Sequence, residues 1–152
     1  ARWGRKAMNR VYPVDLPRFL GQFRFAGGRI RSIRLRYLSA EELKADLRLL
    51  VRRPGRSPGE TSPPVPLRIR LLGVSEFRFQ KRPGTPGGRI PDFRIGYFGD
   101  SYFINLDAFM LAPGETPKLH DFRASEAYVA GRELWWEESR SNGTAERDPP
   151  GE

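Results

Sequence analysis

At 152 residues the chain has room for one domain with one core of ordinary size, and its lack of cysteine excludes disulfides, thiolate nucleophiles and cysteine-based zinc sites at once. No apolar run approaches the length that spans a bilayer, so no membrane partner is expected, and the absence of cysteine fits a reducing, cytoplasmic setting. The formal charge of +9 is uneven: residues 1 to 82 hold 20 Lys and Arg against 6 Asp and Glu, or +14, whereas residues 83 to 152 hold 7 against 12, or −5.

Residues 1 to 14 carry Arg2, Arg5, Lys6 and Arg10 beside Trp3 with little periodicity, which predicts a loose basic arm. Asp15 followed by Leu16, Pro17, Arg18, Phe19 and Leu20 predicts a short helix, with Asp15 as its N-cap, proline in the first turn and Gly21 at its end. Phe23-Arg24-Phe25 leads into Gly27-Gly28, read as a flexible turn. Residues 29 to 37 then alternate as a strand, with Ile33, Leu35 and Tyr37 on one face and Ser32, Arg34 and Arg36 on the other. Ser39-Ala40-Glu41-Glu42 has the form of a capping box and predicts one helical turn. Residues 43 to 51 fit both the helical and the strand period. A strand over residues 45 to 53 is favoured, because strands flank it and residues 67 to 72 need a partner.

Residues 54 to 66 turn to Pro, Gly, Ser and Arg and predict an exposed loop. The stretch from 67 to 106 organises the rest. Leu67, Ile69 and Leu71 alternate with Arg68 and Arg70; beyond Gly73 a second strand is expected, with Phe77 and Phe79 opposite Glu76, Arg78 and Gln80. Pro83-Gly84-Thr85-Pro86-Gly87-Gly88 interrupts regular structure, and Phe93 to Tyr97 and Tyr102 to Asp107, joined through Gly99 and Asp100, predict a hairpin. Another turn follows around Pro113 and Pro117. Residues 122 to 136 are read as the last strand and residues 139 to 152 as a disordered tail, leaving one β-rich domain over residues 15 to 138. The expected fold is mainly β, an antiparallel sandwich or half-open barrel of six to eight strands with one or two short helices.

Chemistry-bearing groups are sparse. His120 is the only histidine, too little for a nucleophilic triad or a histidine metal centre, and no catalytic residue, cofactor or metal site is assigned. Glu76, Asp92, Asp107 and Glu126 supply carboxylates for a hydrolase, but their spacing selects no pair. Gly84 to Gly88 lacks the lysine and the following helix of a phosphate cradle. The basic strand faces are the better candidate: Arg29, Arg31, Arg34 and Arg36 beside Arg68, Arg70, Arg78 and Lys81. Rings at Phe23, Phe25, Phe77, Phe79 and Tyr97 raise the alternative of a single-stranded nucleic-acid binder, although alternation puts rings and arginines on opposite faces. Trp135 and Trp136 cannot both face inward, so one is expected to be exposed for a partner or to cover an edge.

The run Phe23-Arg24-Phe25-Ala26-Gly27-Gly28-Arg29-Ile30, followed by residues 67 to 79 with Gly73-Val74 between two strands, resembles small bacterial β domains of unknown function. Some of these are classed as immunity proteins of polymorphic toxin systems. The resemblance covers residues 20 to 110 as pattern and carries over no site residue. It implies a non-enzymatic domain that binds a protein partner, as immunity proteins do when they occlude a toxin's active site. The combined expectation is a binding module that takes an acidic protein partner through Arg34, Arg36, Arg68, Arg70, Arg78 and Trp136.

Overall fold

The computed structural model describes residues 8–55, 62–80, 88–108 and 114–139. The expectations for the arm before residue 8, the loop at 56–61, the cluster at 83–87, the turn at 109–113 and the tail beyond 139 lie outside the described residues. Within them the chain forms seven antiparallel strands in one sheet: β1 (Asn9–Val11), β2 (Arg24–Tyr37), β3 (Leu43–Arg52), β4 (Val65–Phe79), β5 (Arg94–Phe98), β6 (Ser101–Asn105) and β7 (Ala127–Glu138). Two short helices, α1 (Leu16–Gly21) and α2 (Leu119–Arg123), pack on it. None of the described helices is long and apolar enough to cross a membrane.

The order across the sheet is β2, β3, β4, β7, β6, β5, with β1 also pairing β7. The two end strands curl toward one another. Just before β5, Arg89 bridges Arg29 of β2, held by Gly27 N–H to Ile90 C=O at 2.8 Å and Ile90 N–H to Gly28 C=O at 2.9 Å. Phe93 stacks on Phe25 across the same seam, with centroids 4.1 Å apart. The result is a half-open barrel.

Alternation places the core. Leu47 faces Ile69 and Leu49 faces Leu67 between β3 and β4; Leu71 faces Leu134 and Ile69 faces Trp136 between β4 and β7. Every residue in these pairs except Trp136 is fully buried on the inner side. Helix α1 adds Leu16 and Phe19, the latter against Phe23 and Trp136. Each such side chain contributes about 2 kcal/mol by leaving water. A smaller cluster, Phe103, Phe122, Tyr128 and Ala130, lies on the other side of β6 and β7 beneath α2.

Several local expectations change. Residues 9–11 of the expected loose arm form β1, because Val11 is buried and its carbonyl accepts the Tyr102 hydroxyl at 2.7 Å. Asp15 caps no α1 amide with its side chain but accepts the Tyr12 N–H at 3.1 Å, closing the 3-10 turn Pro13–Asp15. Gly27-Gly28 does not reverse the chain: β2 runs through it with a register shift between Arg24 and Arg29. Ser39 Oγ does accept the Glu41 and Glu42 N–H groups at 3.4 and 3.2 Å, yet no helix follows, because the turn joins β2 to β3. The two strands expected around Gly73 are one strand, β4, irregular between Val74 and Glu76. Residues 119–123, partly assigned to the last strand, are α2, which buries Phe122 and starts where Asp121 accepts the Lys118 N–H at 2.7 Å. The pairing of residues 45 to 51 with 65 to 71, and the hairpin of β5 and β6, form as expected. At that hairpin Gly99 supplies the left-handed residue of the turn, with φ of 65°.

Candidate functional site

The same alternation that buries leucines turns the arginines outward. The register sets Arg34 opposite Asp46, Asp46 opposite Arg70, Arg70 opposite Trp135, and Trp135 opposite Arg10. A neighbouring row runs Ser32, Arg48, Arg68, Glu137. Pairing thus gathers side chains from five strands into one basic outer face.

Its charge is not uniform. Asp46 accepts Arg70 Nε at 2.8 Å and lies 3.3 Å from Lys44 Nζ, and Glu137 accepts Arg68 at 3.3 Å. Glu133 accepts Trp135 Nε1 at 3.1 Å and sits 3.9 Å from Arg10. The carboxylates of the face are therefore engaged on its β3, β4 and β7 side. Toward β2 there are none: Arg34 and Arg36 are exposed, and no described carboxylate pairs with them. The register changes from Ile30 opposite Leu49 to Ser32 opposite Arg48, so Arg31 is an inserted residue. Arg31, Ser32, Arg34, Arg48, Arg68 and Ser139 line a shallow depression of about 140 Å³.

Of the residues expected to bind a partner, Arg34, Arg36, Arg68 and Arg70 share this face. Arg78 lies farther along β4, at most about 26 Å from Arg70 at 3.3 Å per residue. It spends its guanidinium on the carbonyls of Arg123 and Ser125, at 3.1 and 3.3 Å. Trp136 turns inward, with its ring 5.4 Å from Phe19 and 5.6 Å from Phe23, so the tryptophan on the basic face is Trp135. The register decides this, because Trp136 pairs with inward Ile69 and Trp135 with outward Arg70. Lys44, Arg48 and Ser139 were missing from the expected set. The polar half of the alternation in residues 43 to 51 carried the signal for the first two.

The acidic candidates are held in structural contacts. Glu76 accepts both arms of Arg123, at 3.0 and 2.6 Å, and the Tyr128 hydroxyl at 3.1 Å. The Arg123 hydrogen bonds hold its carboxyl below the usual glutamate range against an opposing effect of burial. Tyr128 is raised, first by burial and then by its bond to Glu76. Asp107 accepts the Ser125 hydroxyl, and Asp92 accepts the Phe93 N–H at 2.8 Å. His120 is exposed on α2 with Nε2 3.4 Å from Asp121. Among the described residues no group of three or more His, Asp or Glu is placed to hold a metal ion. No family model, curated protein or solved structure matches the chain.

Proposed function

We propose that this chain is a non-catalytic interaction domain, acting in the cytoplasm, that takes an acidic protein partner onto the outer face of β2, β3 and β4. The observation that carries the reading is the charge imbalance at β2, whose sequence holds five arginines and no acid. Carboxylates satisfy Arg68 and Arg70 within the chain, whereas Arg34 and Arg36 have no described carboxylate partner. A partner that supplies carboxylates there replaces water around free guanidinium groups without breaking existing pairs. Occlusion of a partner's surface, as the resemblance to immunity proteins implies, is compatible with such a face.

A single-stranded nucleic acid is the weaker reading. Phe23 and Phe25 are buried and Phe77 and Phe79 lie on the side opposite Arg68 and Arg70, so the arginine face carries Trp135 but none of these four rings for bases to stack on. Binding of fluorescent poly-glutamate and of an oligothymidylate of equal length separates the two. We expect poly-glutamate to bind the more tightly, and Arg34→Glu/Arg36→Glu to weaken it by about tenfold or more, the loss shrinking as salt rises through about 0.2 M. Preference for the oligonucleotide, or indifference to the double substitution, overturns the reading.

A further inference from the structure

We infer that residues 31 to 37 of β2 are a docking edge, to which an extended acidic segment of a protein partner adds as one more strand. This rests on the reading above that the partner is acidic, and it specifies how that partner is held. Among the described residues β2 ends the sheet: β3 pairs one side of it, and on the other the described chain around Arg89 pairs as far as Ile30, whose N–H donates to Gly88 C=O at 2.6 Å. Beyond that point no described strand pairs with residues 31 to 37 on this side. An open strand edge offers a row of N–H and C=O groups to any extended chain.

Charge selects among the chains that can use it. A second copy of β2 laid antiparallel on this edge would bring Arg31, Arg34 and Arg36 against arginines of the same strand, and like charges set opposite one another repel. An acidic strand reverses that sign. The two faces also differ. On the outer side an added strand stands next to Arg34 and Arg36 and near the depression at Arg31 and Arg48; on the inner side it meets half-buried Ile33 and Leu35 and exposed Tyr37. The segment that fits both faces alternates acidic with apolar or β-branched residues.

The probe is a synthetic peptide alternating Glu and Val, long enough to lie along residues 31 to 37, with a Lys and Val peptide as its control. Two further Glu and Val peptides are N-methylated on alternate amides, one on the glutamate set and one on the valine set. In an added strand one set of amides faces the protein and the other faces away. We therefore expect one methylated peptide to lose about tenfold or more in affinity and the other to bind like the parent. Hydrogen exchange should slow at amides within residues 31 to 37 when the parent binds. Equal binding of both methylated peptides overturns strand addition while leaving the acidic-partner reading intact. Failure of the Glu and Val peptide to exceed its lysine control overturns both.

Discussion

Tyr102 shows how a single side chain ties the N-terminal strand to the sheet. Its hydroxyl donates to the Val11 carbonyl from a buried position, and its ring lies 4.8 Å from that of Tyr97. Burial, followed by the neighbouring Tyr97, pushes its pKa up to about 12 from the ordinary 10.0. The folded state thus favours the neutral phenol. Its contribution to stability is complete below pH 10 and is lost as pH rises through about 12. An alkaline absorbance titration should show late phenolate formation. Tyr102→Phe should remove one such late step, leave that of Tyr128, and lower unfolding stability by about 1 kcal/mol. An unchanged number of late steps would refute the assignment. The same scale shows the limit of adjacency as a guide: Trp135 and Trp136 must face opposite ways, but only pairing with Arg70 and Ile69 determines which one is outside.

Among the elements, β2 departs furthest from its local signals. Gly27-Gly28 has the composition of a turn, yet β2 continues through it and packs against β3. The reason is close approach: a Cβ on Gly28 would lie 2.5 Å from the Leu50 carbonyl oxygen and 3.0 Å from that of Phe25. Both neighbours are backbone and cannot swing aside. Gly28→Ala should therefore lower stability by about 1 to 3 kcal/mol, read as a fall in the denaturation midpoint. Gly21→Ala, with nothing within 4 Å of its Cβ, should have a much smaller effect and serves as control. Equal midpoints for the two variants would contradict the packing account. Ser39 makes the complementary point. Its hydroxyl forms the hydrogen bonds of a helix start, but the following residues gain more by pairing Leu43 to Arg52 with the strands on either side.

For the molecule as a whole, the inner and outer faces have different work. Buried residues such as Leu47, Leu49, Leu67, Ile69 and Leu71 contribute about 2 kcal/mol each, whereas exposed ion pairs contribute about 0 to 1 kcal/mol. The apolar face therefore holds the fold, and the arginines can be replaced with little loss of stability. On the edge of residues 31 to 37, where no described strand pairs, their mutual repulsion is expected to oppose self-pairing. Arg34→Thr/Arg36→Thr raises β propensity and removes repulsion at that edge, so sedimentation velocity should show concentration-dependent self-association in the variant and a monomer in the parent. A variant that stays monomeric across the same concentrations would remove this role.

Residues 45 to 51 fit both the helical and the strand period, and the expected need of residues 67 to 72 for a partner favoured the strand that forms there; the sequence by itself determined that the chain is mainly β and that the arginines alternating with leucines face outward. Period-two patterning encodes burial directly, so these features need no knowledge of distant contacts. Only the tertiary structure decided which acids consume Arg68 and Arg70, which tryptophan lies outside, how Arg31 is inserted beside Arg48, and where the described strands stop pairing with β2. Those outcomes depend on register and strand order, which are set by which apolar rows meet across the sheet.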